Sequence, residues 1–542
     1  MCEVTSSNFF HFYPLIINEI DRSCFLAFDT EFSSIDNTPL ISMNTFEEFY
    51  RLRSNFIRQI TVFQFGLAIF FRTNQQNKYE VKIYNFYLHP SNRQPIDVQY
   101  QIQSSSIQFL TDYKFDFNKC FYSGISFANQ TQINLLMKHK SQSYRFSIQE
   151  QNFFDKLFEI INQWLITAEL GQQMTYEHEF ERDFLSNYSI QMEIQRYFKT
   201  IWTTIETESQ TQKKIFVFER ITREDFEEKS RDYQLNNNDW TEHLQSIVGF
   251  SKLIHYIRDN YQKPIVGHNC FLDWLIIYDK FLDRLPIKFQ DFQQFMTEHI
   301  HSALFDTKYL AFEMKTDLFS SQRNLTTNTS LSSLFNLLSS KTYDQQIFLK
   351  PVIEILSSDR YQNQTRVHEA GYDAYMSGVI FLKLIYFHKQ KQTARIESNA
   401  YQTIFDICLN DIQMFKNRFY SIVNCYVPLN RNDQLNIKKK RFQYCLVLEK
   451  INQDKIEIES LIKQLISYGF IQYEIDGNFT RLYLFFQSEH GQKRIMNDYK
   501  HHSIYKIEKF NWFKHRFLSK YSAGISILLG GICIFLLVKS RL

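Results

Sequence analysis

The chain has 542 residues, 44% of them hydrophobic, and 61 Lys+Arg against 58 Asp+Glu give a net charge of +3. That length supports two or three domains with real cores, and the nearly balanced charge excludes a global field for nucleic acid, so any basic groove is local. Eight scattered cysteines (Cys2, Cys24, Cys120, Cys270, Cys408, Cys425, Cys445 and Cys533) form no Cys-x-x-Cys pair, which argues against a zinc site or a disulfide framework and for a reducing compartment.

The N-terminus, Met1-Cys-Glu-Val-Thr-Ser-Ser-Asn8, has no apolar run behind a basic one and so no secretory signal. An amphipathic helix is predicted over Asn8 to Arg22. It leads into Phe25-Leu-Ala-Phe-Asp-Thr-Glu-Phe32, an apolar strand ending in the carboxylates Asp29 and Glu31. Residues two apart on a strand point to one side, so both acids face one point in space. Like charges held there gain nothing unless a cation sits between them. Strands follow at Thr61 to Phe71 and Lys82 to Leu88, an antiparallel start to a mixed sheet, and then a capped helix from Ser104.

Residues 150–245 turn polar and acidic, as in Glu224-Asp-Phe-Glu-Glu228, and read as a helical insertion between two parts of one α/β domain, 1–149 and 246–390. The core resumes with the strand before Gly267-His-Asn269, which opens a helix carrying Asp273. Another strand, Ser302 to Lys308, follows, and a helix carrying His368 and Asp373 closes the domain. Residues 391–430 read as a polar helical linker. In 431–512 the order strand, helix, strand, strand, helix is that of an RNA-recognition-like α+β fold, with Tyr483 and Phe485 on one face where stacking platforms lie, or else as plain core aromatics. Tyr521 to Val538 carries no charge and is flanked by bases. Eighteen helical residues reach roughly 27 Å, so a transmembrane tail anchor is predicted, placing the chain on the cytosolic face of the mitochondrial outer membrane or the endoplasmic reticulum.

The chemistry lies in four acids and a histidine. Asp29, Glu31, Asp273 and Asp373 offer hard oxygen donors suited to two divalent cations, Mg²⁺ or Mn²⁺. Two such ions clamp the attacking and leaving oxygens of an in-line phosphoryl displacement. His368, five residues before Asp373, suits a general base on the attacking water.

Asp-x-Glu, Gly-His-Asn-x-x-x-Asp and His-x-x-x-x-Asp resemble the signature of DEDD-type exonucleases of the histidine subclass. The fuller strings Phe28-Asp-Thr-Glu-Phe-Ser33, Gln64-Phe-Gly66, Ser104-Ser-Ser-Ile107, Phe115-Asp-Phe-Asn-Lys119, Asn328-Thr-Ser-Leu331 and His368-Glu-Ala-Gly-Tyr-Asp-Ala-Tyr375 resemble the poly(A)-specific ribonuclease (PARN) family. With the predicted anchor, the likeness is to membrane-tethered PARN-like exonucleases that trim PIWI-interacting RNA precursors. The resemblance implies a ribonuclease-H-like fold and Mg²⁺-dependent 3′-to-5′ exoribonuclease activity. It also implies contacts from Phe32, Ser33 and Lys308 to the 3′-terminal nucleotides. The partners implied are a single-stranded RNA 3′ end, a membrane, an Argonaute/PIWI-type protein holding small RNA, and a second copy in a homodimer. Poly(A) removal, a deoxyribonuclease and an inactive RNA-binding scaffold are the alternative readings.

Overall fold

The computed structural model describes residues 3–35, 46–75, 77–91, 96–138, 146, 148–179, 186–207, 213–235, 238–318, 329–340, 343, 350–356, 368–392, 403–421, 425–430, 445–452, 461, 464–465, 470–475, 480–486 and 489–510. These fall into two compact units, the larger holding residues 3–35 and those from Glu47 to Tyr420, the smaller holding Phe46 and those from Ser421 onward.

The larger unit is built on a mixed sheet. Its strands are β1 (Glu3–Val4), β2 (Phe25–Phe32), β3 (Val62–Arg72), β4 (Lys78–Tyr87), β8 (Ile265–Gly267), β9 (Leu304–Asp306), β10 (Val352–Ile355) and β11 (Arg418–Ser421), while β5 to β7 belong to a separate sheet described below. The path is β1-β4-β3-β2-β8-β9-β11, with β10 also on β4. β4, β3 and β2 pair antiparallel, and β2-β8-β9-β11 continue in parallel, so β2 lies where the sheet changes sense. This is the ribonuclease-H-like mixed sheet that the sequence predicts.

β2 is held there because Phe25, Leu26, Ala27 and Phe28 are all buried. The ring of Phe25 stacks on Phe70 of β3 at 4.4 Å, and Phe381 of the helix Ala370–Gln392 packs against it at 5.3 Å. That helix is buried along most of its length, an apolar run with no polar stripe, and it forms the floor under the sheet.

Two segments differ from expectation. Residues 150–245, predicted as helical, contain an antiparallel sheet in the order β5-β7-β6, made of β5 (Gln173–Glu179), β6 (Ile201–Thr207) and β7 (Lys213–Arg220). In β7 Lys214, Phe216 and Phe218 are buried and alternate with the half-buried Lys213, Ile215, Val217 and Glu219, so a lysine on the inner side and aliphatics on the outer one blur the period of two. Residues 391–430, predicted as a linker, include the helix Ile404–Asp411 and β11. Ile404, Phe405, Cys408 and Ile412 lie in the core of the larger unit, so this stretch completes the nuclease fold.

The smaller unit has β12 (Cys425–Pro428) and then β13 (Cys445–Lys450), β14 (Phe470–Ile475), β15 (Arg481–Phe486) and β16 (Tyr505–Lys509). The last four pair antiparallel in the order β14-β15-β13-β16, the strand order of an RNA-recognition-like sheet. Leu446, Leu448, Leu482 and Leu484 point to one core with Leu461, Leu465 and Ile495. Tyr483 points to the other face but is only 3% exposed and lies against Phe510, so its ring is not open for stacking. The side chain of Phe485 lies outside the described residues.

The expected transmembrane helix is corrected. No helix among the described residues is long and apolar enough to cross a membrane, and the predicted span 521–538 lies outside them. The localisation built on that helix falls with it.

Candidate active site

Asp29 faces Gly66 across the β2–β3 pair and Glu31 faces Gln64. After Glu31 the register slips by one residue of β3, a bulge at the point where β2 opens to solvent. Helix Ala370–Gln392 begins directly beside this end. The backbone N–H of Ala370 donates to Gln64 Oε1 at 2.9 Å and that of Gly371 to Asn85 Oδ1 at 2.7 Å. Asn85 Nδ2 in turn donates to Glu369 Oε1 at 2.7 Å. These bonds fix the first helical turn, which carries Asp373. Ligand oxygens of Asp29, Glu31 and Asp373 consequently lie within 4.8 Å of one another.

Burial raises the pKa of Asp29 well above the carboxylate range, and the charges of Asp373, Asp273 and Glu31 add to it. Glu31 is raised by burial and then by Asp373 and Asp273. Asp373 is pushed to about 7, chiefly by burial, against which the His368 N–H bond at 3.2 Å to its Oδ1 acts. Such a cluster repels itself in a low-dielectric site, and a bound divalent cation relieves both causes. The donor set therefore fits Mg²⁺ or Mn²⁺.

Asp273 stands apart from that trio. It lies in the first turn of the helix Phe271–Ile277, and its Oδ1 accepts the Thr30 hydroxyl. Burial raises its pKa to about 7 and Thr30 opposes the rise. Its charge still reaches Asp29 and Glu31, so the structure places four acids in one field with three in closest contact.

His368 has φ of +67°, a left-handed conformation costing a residue with a Cβ about 1 kcal/mol or more. That turn points its ring back over the site, with Nδ1 4.0 Å from Asp373 Oδ2. Phe109 packs edge-on to the ring at 4.7 Å and Tyr113 lies against it at 4.1 Å. Burial lowers the pKa of His368, which favours the neutral imidazole, the form that can accept a proton.

Of the residues expected at the RNA 3′ end, Phe32 is partly exposed at the strand end. Lys308 is partly buried, with its Nζ 5.1 Å from the Tyr420 ring centroid, and burial lowers its pKa. Ser33 lies inside the fold. It is fully buried, donating through Oγ to the Gln101 carbonyl at 2.7 Å and accepting from the Thr61 N–H at 3.0 Å.

Sequence reasoning missed Asp306. It is fully buried, and its carboxylate accepts the backbone N–H groups of Asn269 (2.8 Å), Lys308 (2.9 Å) and Tyr420 (2.8 Å). It thus ties the loop before Asp273 to β9 and β11. The signal was an acid directly ending an apolar strand, the pattern that singled out Asp29.

A ribonuclease-H-like mixed sheet with acids gathered at the end of its central strand is the architecture of the DEDD class of 3′-5′ exoribonucleases. The chain matches the CAF1 family ribonuclease over residues 4–381 and belongs to that family. It is 30% identical over 414 residues to the poly(A)-specific ribonuclease PARN of Xenopus laevis, covering 70% of this chain and 62% of that one, so it spans about three fifths of that relative's length. It is 23% identical over 554 residues to the pre-piRNA 3′-exonuclease trimmer of Bombyx mori, covering 99% of this chain and 98% of that one. The poly(A)-specific ribonuclease PNLDC1 of Mus musculus is 28% identical over 402 residues, covering 72% of each.

Proposed function

We propose that this chain is a divalent-metal-dependent 3′-5′ exoribonuclease that releases 5′-mononucleotides and trims the 3′ ends of small, PIWI-interacting-type RNA precursors. The observation carrying the chemistry is the convergence of Asp29, Glu31 and Asp373 within 4.8 Å at the end of a buried strand. With Asp273 they would hold two Mg²⁺ ions, with Mn²⁺ as substitute, and the metals would supply charge stabilisation to the attacking and leaving oxygens. His368, neutral and beside Asp373, takes the proton of the attacking water. His368→Ala should slow hydrolysis by about 10²–10⁴-fold, the usual worth of a general base. A loss well beyond about 10⁴-fold would make the histidine more than a base.

The substrate reading is supported by the nearly end-to-end match to the Bombyx mori trimmer. An Argonaute/PIWI-type protein bound to the precursor would set the stop, since trimming ends where the RNA is no longer reachable. Poly(A) removal is the second reading, favoured by the higher identity to PARN.

Purified protein on 5′-labelled RNAs should shorten only substrates with a free 3′ hydroxyl, should spare circles and 3′-phosphates, and should stop on addition of EDTA. Cleavage of a circle would mean an endonuclease. Loss of the gene should lengthen small-RNA 3′ ends, whereas lengthened messenger tails with unchanged small RNAs would favour the deadenylase.

A further inference from the structure

Beside His368 lies an aromatic ring that no motif singles out. Tyr113 is 47% exposed, with one side of its ring against the imidazole at 4.1 Å. It is not a wandering surface side chain, because the backbone beneath it is pinned. Tyr113 caps the helix Ser104–Asp112, the Lys114 N–H bonds to the Thr111 carbonyl at 2.8 Å, and the Phe115 N–H bonds to the Leu110 carbonyl at 2.9 Å. That pair of bonds is the Schellman helix stop, complete with its apolar contact, since Leu110 and Phe115 share one core cluster. Phe109 supports Tyr113 from behind at 5.0 Å.

The left-handed position of this stop, φ +62°, is occupied by Lys114, where Gly would avoid the strain. Lys114 is exposed. A rigid ring, half open to solvent, thus sits beside the general base, followed by a cation held in a strained conformation.

We infer that Tyr113 is a stacking platform for the base of the 3′-terminal nucleotide, with Lys114 meeting the adjoining backbone phosphate. The inference rests on the exoribonuclease reading. On that reading the scissile phosphate would lie at the carboxylates, and His368, with Nδ1 4.0 Å from Asp373 Oδ2 and its ring 4.1 Å from that of Tyr113, lies between them and the platform. A π-face accepts any base, which suits an enzyme that removes one nucleotide after another.

The test is a cycle between protein and substrate, using full-length protein and single-stranded RNA with an ordinary or an abasic 3′-terminal residue. Removal of that first residue is scored at substrate well below KM. Tyr113→Ala should lower kcat/KM on ordinary RNA about 5- to 100-fold, from the usual worth of one base–aromatic stack, and Tyr113→Phe should recover most of the loss. Wild type should lose a similar factor on the abasic end, and Tyr113→Ala should lose little more. If the abasic penalty is the same in wild type and Tyr113→Ala, the ring acts only through His368 or the fold, and the platform is overturned. Binding of the two RNAs in EDTA, read by anisotropy, repeats the cycle without turnover. Tight, Tyr113-dependent, base-dependent binding with no hydrolysis on metal addition would sink the nuclease reading and keep the platform.

Discussion

Asp29→Ala, Glu31→Ala and Asp373→Ala should each reduce exonuclease activity by about 10³-fold or more, while the chain stays folded. Each change removes an oxygen donor from a group of three within 4.8 Å, and the charge stabilisation of a bound divalent ion is worth several kcal/mol. The metal-free protein gives a second readout of opposite sign. Asp373 and Asp273 are pushed to about 7, and Asp29 and Glu31 are raised as well, all chiefly by burial. A carboxylate whose folded pKa exceeds its unfolded one favours the folded state while protonated. That advantage is complete below the unfolded pKa, near 4, and is lost as pH rises through about 7. In EDTA the melting temperature should therefore fall between pH 4 and 8. Asp29→Asn should raise it at pH 8 by removing one of the repelling charges, and Mg²⁺ should restore wild type by binding the folded form. An acid variant that keeps full activity, or a metal-free protein that gains stability with rising pH, would refute the cluster as a metal site.

The path from sequence to site was short for some residues and closed for others. Asp29 and Glu31 were readable because strand periodicity alone puts them on one side. Asp373 and His368 were readable as a pair from their spacing, but not the left-handed turn at His368 that aims the ring. Asp273 was readable from Gly-His-Asn-x-x-x-Asp, but not its bond with the Thr30 hydroxyl, a partner 243 residues away that no local pattern reveals. Ser33 lies one residue beyond the strand that carries the acids, yet two long-range bonds, to Gln101 and Thr61, turn it inward. The sheet of residues 150–245 was hidden for a different reason. In β7 Lys214 lies on the inner side and Ile215 and Val217 on the outer, so polarity does not alternate with burial, and such a strand in a polar stretch is not readable from composition alone. Tyr483 shows the limit of composition in the smaller unit, because its face of the sheet is right but Phe510 lies on it.

Gly66→Ala should be nearly as damaging to activity as loss of an acid, although Gly66 has no side chain to take part in the chemistry. Gly66 stands opposite Asp29 on β3, and a Cβ built there would lie 2.0 Å from both the carbonyl carbon and oxygen of Ala370 and 2.3 Å from the nitrogen of Gly371. Those atoms are backbone at the start of the helix carrying Asp373, so no side-chain rotation relieves the clash. The helix end must move outward. Gln64 and Asn85 hold it at 2.9 and 2.7 Å, and their bonds to Ala370 and Gly371 lengthen with that movement. Overpacking of this kind typically costs about 1–3 kcal/mol of stability, a loss that a domain of this size survives. Activity suffers more, since Asp373 and His368 ride on the displaced turn and a shift of about 1 Å in a catalytic group can cost about 10²-fold. The variant should therefore fold, melt several degrees lower and hydrolyse RNA about 10²-fold or more slowly, with a raised Mg²⁺ requirement as Asp373 withdraws from Asp29 and Glu31. A Gly66→Ala protein with unchanged rate and unchanged Mg²⁺ dependence would show that the close approach of β3 to Ala370 does not set the geometry of the acids.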